Sequence, residues 1–206
     1  MPDRVVSKRL ERAILIAVVA AWAVFVTAGL GKLWSYASTP GRPADVRGTW
    51  PTDSVLERTP RKPTLVVLLH PQCSCSEATV GELARLIAHV PGQLTTHVLI
   101  YQPHDQPVDW GGTSLRRAAR AIPGVTVSSD ADGAEARRFG GYISGQTFLY
   151  DARGSLTFAG GITFARGHSG DNVGRDAIEA LVRGDTPPTH RTPVFGCIIG
   201  NWDSTS

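Results

Sequence analysis

The stretch from Thr64 to Ser76 constrains the fold more than any other part of the chain. Thr64 to Leu69 is apolar apart from Thr64 and is bounded by Pro63 and Pro71. Such a run reads as a strand buried on both faces, the kind found at the centre of a parallel or mixed sheet. His70-Pro71-Gln72-Cys73-Ser74-Cys75-Ser76 follows, and Val80, Leu83, Ala84 and Ile87 then recur at the offsets of one helical face until Pro91-Gly92 closes the run. A strand therefore delivers Cys73 and Cys75 to a helix N-terminus. Unpaired N–H groups and the positive end of the helix dipole favour a thiolate there and lower a cysteine pKa from its free value of about 8.5.

The N-terminus points to a membrane. Ala13 to Leu30 contains no charge and no proline, and Arg4, Lys8, Arg9 and Arg12 precede it. Its 18 residues exceed the apolar core of a cleavable signal and reach the lower end of a spanning helix. The expectation is an uncleaved anchor with Trp34 and Tyr36 at the far interface, although Ser35-Tyr36-Ala37 offers small residues at cleavage-like spacing. Basic residues stay on the cytoplasmic side, which places the rest of the chain across the membrane, in the periplasm of a bacterial inner membrane. Disulfides persist there, and three cysteines allow one bridge with one thiol left over. The net charge of +3 lies partly in the basic flank and gives no reason to expect a nucleic-acid partner.

The 206-residue chain suffices for one ordinary domain and an appendage. Pro40, Pro43, Pro51, Pro60 and Pro63 lie among polar residues without a sustained period, as in a stiffened tether, with Trp50 and Val55-Leu56 available to pack on the domain's edge. Beyond the first strand and helix, Leu94–Tyr101 reads as a strand, Leu115–Ile122 as a short basic helix, Val125–Val127 as a strand, and Ala134–Phe139 as a helical turn capped from Asp132. Thr147–Tyr150 and Leu156–Ala159 flank the turn Asp151–Gly154 as a hairpin, and Ala177–Val182 is the last helix.

This order of elements is that of the thioredoxin fold, and the strand running into a cysteine pair resembles the thioredoxin-like superfamily. More closely, His70–Ser76, Ser144-Gly145-Gln146-Thr147, Gly160-Gly161-Ile162-Thr163, Arg166–Asn172 and Pro193-Val194-Phe195-Gly196-Cys197 resemble the membrane-anchored bacterial proteins called RedB. The resemblance covers residues 64 to about 198. It implies an α/β thioredoxin-like fold, a central mixed sheet flanked by helices, behind an N-terminal transmembrane helix. The expected division is a basic cytoplasmic flank (1–12), a transmembrane anchor (13–34), a Pro-rich linker (35–63) and a thioredoxin-like domain (64–206). Two departures stand out. The family pattern carries proline between the cysteines and after the last one, where this chain has Ser74 and Ile198. Thioredoxins also place a cis-proline before the strand facing the cysteines, and Ser144-Gly145-Gln146 has none.

The chemistry expected is thiol–disulfide exchange with protein thiols or disulfides of the periplasm and no organic cofactor. Cys73, nearest the strand end, is the expected attacking thiolate, with Cys75 or Cys197 resolving. A Cys73–Cys75 bridge closes a small, strained ring and is readily reduced. Thr192–Phe195 reads as an extended segment able to return Cys197 to the cysteine pair, and a plain stabilising disulfide from Cys197 is the alternative. His70 is expected to hydrogen-bond a carbonyl or lower a thiol pKa. A peroxidase is disfavoured, because His70 stands where peroxiredoxins place Thr or Ser. The competing reading is a Cu(I)-binding assembly factor for a respiratory metalloenzyme, with Cys73, Cys75 and His70 as ligands, joined by Cys197 or His168. Gly167–Asn172 suits an anion or simple capping of the last helix by Asp171 or Asn172. Arg166 and His168 are expected near the cysteines, and His89, His97, His104 and His190 at the surface or in loops.

Overall fold

The computed structural model describes residues 3–41, 45–107 and 109–200, with side chains from residue 8 onward. Two compact units divide it, residues 1–39 and 40–206. The first is a single helix, α1, Asp3–Ser38. Its stretch Lys8–Ser38 has a mean hydropathy of 2.5 over its most apolar window and is long and apolar enough to cross a membrane. Apolar side chains point outward all round it, Val18, Trp22, Phe25 and Leu33 among them.

The second unit contains β1 (Thr64–Leu69), α2 (Ser74–His89), β2 (Thr95–Gln102), α3 (Ser114–Arg120), β3 (Val125–Ala131), α4 (Ala134–Arg138), β4 (Gln146–Tyr150), β5 (Leu156–Gly161) and α5 (Val173–Arg183). The sheet order is β3-β2-β1-β4-β5. β1 runs parallel to β2, and β2 to β3, while β4 lies antiparallel to both β1 and β5. A parallel βαβ unit beside an antiparallel hairpin and helix, with the first strand central, is the thioredoxin-like arrangement that the element order predicts.

Alternation along β1 divides the core in two. Leu65, Val67 and Leu69 face α2, α3 and α5, meeting Leu83, Leu86, Leu115, Ala119 and Ile178. Val66 and Leu68 face the opposite side with Leu99, Phe139, Phe148, Tyr150 and Ile199. A sheet buried on both faces needs a cover on each. The five-residue α4 is too short to cover the second face alone, and Val46, Trp50 and Leu56 complete it. Residues 45–56 thus do more than link. Trp50 N–H donates to Gly154 O at 2.8 Å, Leu156 N–H to Gly48 O at 2.9 Å, and the Trp50 ring meets Phe139 and Tyr150 edge-on with centroids 5.0 and 5.1 Å away.

Three local expectations change. β3 extends to Ala131 because its ladder with β2 continues to Gln102. Asp132 does not cap α4: Gly133 holds the N-cap position, and the buried Asp130 carboxylate accepts from the N–H groups of Glu135 and Ala136 at 2.8 and 3.0 Å. α5 begins at Val173, where Asn172 caps it by accepting from Arg175 N–H at 2.7 Å.

Replacing Trp50 by Ala removes the ring that closes the second face. The expected loss is about 3 kcal/mol of unfolding free energy, read as a lowered denaturation midpoint at unchanged m-value in the detergent-solubilised chain.

Candidate active site

The carboxyl end of β1 is where the chain can place reactive groups. β1 ends at Leu69, and His70 O accepts from Cys73 N–H at 3.1 Å, turning the chain into α2. Cys73 is the N-cap residue, with extended backbone (φ −105°, ψ 120°) and no conventional side-chain capping bond. Its thiol has those of Cys75 and Cys197 as neighbours.

Hydroxyl groups lock this turn to the loop before β4. Ser76 Oγ donates to His70 O at 2.7 Å and lies 2.7 Å from Ser144 Oγ, which accepts from His70 N–H at 3.0 Å. Gly145 N–H reaches Leu68 O at 2.6 Å. With φ +88°, and Thr79 Oγ1 3.1 Å from where a Cβ would stand, position 145 suits glycine. No described peptide bond is cis; the glycine makes here the approach to β1 that the sequence left without a proline.

The third segment is the C-terminal strap. Thr192 Oγ1 donates to Gly161 O at 2.7 Å, Ser144 N–H to Cys197 O at 2.8 Å, and Ile199 N–H to Tyr142 O at 2.8 Å. Ile143 and Ile198 form an antiparallel bridge. A Cβ on Gly196 would lie 1.8 Å from Ser144 O, so only glycine lets the strap approach this closely. The extended segment read at Thr192–Phe195 does return Cys197 to the cysteine pair.

The fourth segment is the loop between β5 and α5. Arg166 Nη1 donates to Gly196 O at 2.7 Å, and Gly167 N–H is directed at the Cys75 sulfur. Glu82, fully buried on α2, anchors this loop. Its carboxylate accepts from Gly170 N–H at 2.7 Å, Asn172 Nδ2 at 3.2 Å and Arg175 Nη1 at 2.7 Å. A buried carboxylate with so many donors fixes the loop to the helix that carries the cysteines.

All three cysteines are unbridged, with Cys73 and Cys75 buried and Cys197 exposed. Cys75 and Cys197 are the thiols that act on Cys73. The Cys75 contact is the main reason the Cys73 pKa falls to about 4, and the N–H groups of Cys75 and Cys197 add to it against the opposing effect of burial. Donation to that thiolate, with burial, drives the Cys75 pKa upward; burial and then the Cys73 contact raise Cys197 to about 11, opposed by the Arg166 charge. These shifts favour the thiolate at Cys73 over Cys75 and Cys197.

His70 stands beside this cluster. Its Nδ1 accepts from Gln72 N–H at 3.2 Å, and its ring lies against Tyr101 and Trp110, both centroids 5.5 Å away. Burial lowers its pKa and the Cys73 thiolate opposes that shift. Of the two loop residues expected here, Arg166 reaches the strap, while His168 is exposed and its Nδ1 pairs with Arg166 O. His97 departs from expectation. It is buried in β2, with Nε2 2.9 Å from Glu57 O, because residues 45–63 pack over the sheet. Among the described residues, no group of three or more His, Cys, Asp or Glu is arranged to hold a metal ion, so the donor set suggested for Cu(I) does not form a cage.

Ser76, Ser144 and Glu82 were not picked out from the sequence. Glu82 carried a signal, an acidic residue one position from the apolar stripe of α2, but its partners lie about ninety residues away. The hydroxyl pair had none, since serine is ordinary in turns.

No family model matches the chain, and no curated protein matches it. Solved structures do. A hypothetical protein from Sinorhizobium meliloti 1021 is 21% identical, with 70% of this chain and 82% of that one covered at a TM-score of 0.55. An uncharacterized conserved protein from Geobacillus kaustophilus is 19% identical, with 82% and 95% covered at 0.58. A secreted disulfide oxidoreductase of Mycobacterium tuberculosis is 18% identical, with 61% and 83% covered at 0.42. At these identities the likeness is one of fold.

Alkylation of Cys73 in the reduced protein should follow its thiolate. The rate is expected to rise through an inflection near pH 4 and to be flat from about pH 5 to 8. The sign for stability is the same: the contribution of this lowered pKa is complete above the ordinary thiol value of 9.0 and is lost as pH falls through about 4. Iodoacetamide labelling with peptide mass mapping across pH 3–9 checks it; an inflection near pH 8 to 9 would contradict it.

Proposed function

We propose that this chain is a membrane-tethered thiol–disulfide oxidoreductase whose domain works on the periplasmic side of a bacterial inner membrane. Cys73 is the attacking thiolate. It forms a mixed disulfide with a partner protein, which a second thiol of the cluster then resolves. The observation that carries this reading is the buried Cys73 at the N-cap of α2, with Cys75 two residues on and the Cys197 strap bonded to the Ser144 loop that holds the same turn, surroundings that lower its pKa to about 4. A cysteine serving only to fill space has no use for such surroundings. The fold supports the same reading, because the β1–α2 turn presents the thiolate at the sheet's carboxyl end. His70 is a positioning residue here: through Gln72 N–H and the Tyr101 and Trp110 rings it fixes the turn that carries Cys73. The basic flank before residue 13 and the length of α1 support the tether and its orientation.

With a peptide disulfide as substrate and the full chain in detergent, Cys73→Ser is expected to lower exchange by at least about a hundredfold with unchanged circular dichroism. Turnover near that of the unsubstituted chain would end this reading. In intact cells, a membrane-impermeant maleimide is expected to label Cys197; labelling only after lysis would place the domain on the cytoplasmic side.

A further inference from the structure

Exchange needs a second thiol to release Cys73 from its mixed disulfide, and two thiols touch it. Their backbones differ. Cys75 is the second residue of α2, 3% exposed, with its carbonyl accepting from Thr79 Oγ1 at 2.9 Å. A Cys73–Cys75 bond would require the first turn, held by Ser76 N–H on Cys73 O at 2.9 Å, to open. Cys197 is exposed and sits on a strap outside any helix or strand, tied at this end by Ser144 N–H, Arg166 Nη1 and Ile199 N–H.

The same strap covers the nucleophile. Cys73 is 3% exposed, and the strap is held to its turn through Ser144, whose N–H donates to Cys197 O at 2.8 Å and whose hydroxyl accepts from His70 N–H at 3.0 Å. A partner disulfide cannot reach Cys73 while the strap is seated. Ile198 is 57% exposed, whereas Val194, Phe195 and Ile199 are buried, so withdrawal is confined to the short stretch around Cys197 between these anchors. Resting on the reading of Cys73 as the attacking thiolate, we propose that Cys197 is the resolving thiol and that the strap around it withdraws to admit the partner and returns to resolve it.

The steps balance. Cys73 thiolate attacks a partner disulfide R–S–S–R′, forming Cys73–S–S–R and breaking the partner's S–S bond, and R′S⁻ leaves. R′S⁻ takes the proton of Cys197, an exchange the neighbouring Arg166 charge favours. Cys197 thiolate attacks the Cys73 sulfur, forming Cys73–S–S–Cys197 and releasing RS⁻. Two electrons pass from the Cys73 and Cys197 sulfurs to the partner disulfide. With a reduced partner the steps run in reverse.

The test uses the reduced full chain in detergent with glutathione disulfide as the probe, timed alkylation quenches and peptide mass mapping. In the unsubstituted chain and in Cys75→Ala, glutathione on Cys73 is expected to be transient and to give way to a Cys73–Cys197 link. Cys197→Ala, at an exposed side chain, is expected to hold glutathione on Cys73 at least about ten times longer. Gly196→Ala unseats the strap without touching a thiol; it is expected to speed alkylation of Cys73 and slow formation of the link. Clearance at the unsubstituted rate in Cys197→Ala, with a Cys73–Cys75 link, would overturn the assignment. Unchanged alkylation in Gly196→Ala would overturn the withdrawal. Glutathione absent from Cys73 in every variant, including Cys197→Ala, would instead overturn the attacking-thiolate reading itself.

Discussion

A negative sulfur out of water is costly unless donors surround it, and the upper end of the sheet is built to meet that requirement. One helix N-terminus would not suffice, because Cys73 is nearly inaccessible. The donors come from two separate parts of the sequence, the first turn of α2 and the strap, with the β4 loop and the loop before α5 holding both in place. Glu82 does the longest-range part of this work, fastening the 166–172 loop to the helix whose first turn carries the thiolate. The sheet order matters for the same reason: β4 lies beside β1, so the Ser144 loop faces the start of α2 and the strap can pair with it.

Two glycines set the spacing. At 145 the positive φ allows the loop to bond back to Leu68, and at 196 the missing Cβ admits Ser144 O. The hydroxyls of Ser76 and Ser144 then tie the loop to the β1–α2 turn by hydrogen bonds rather than by a rigid ring.

The sheet and the cysteine-bearing turn were legible in the sequence because their signals are local. Thr64–Leu69 is apolar throughout, α2 has a clear stripe, and Asp151–Gly154 marks the hairpin. The approach of Cys197 was legible as a possibility, from an extended segment ending in cysteine. Its register was not, since that depends on Gly196 meeting Ser144 across some fifty residues. Residues 45–56 were legible in part, since Trp50 and Leu56 pack on the domain as their residue types suggested. Proline-rich, aperiodic chain reads as a linker, yet Trp50 is worth most where a sheet face has too little helix to cover it, and the shortness of α4 is a property of the whole fold. His97 followed the same logic, surface-like by residue type and buried by what packs over it.

On the proposed reading, the depressed pKa also bears on direction. Donors that stabilise the Cys73 thiolate stabilise the reduced protein and leave its disulfide comparatively oxidising, whichever cysteine is the partner. The low pKa costs some nucleophilicity but makes Cys73 a good leaving group. On that account the attack of Cys73 on a partner disulfide runs more readily in reverse, with a partner thiolate attacking the Cys73 disulfide and Cys73 leaving. The surroundings reinforce this, because forming the bond removes the charge that the two thiol donors and two N–H groups are arranged to hold, and breaking it restores that charge to its site. The cluster therefore favours the dithiol state through electrostatics alone, without any need for a strained ring.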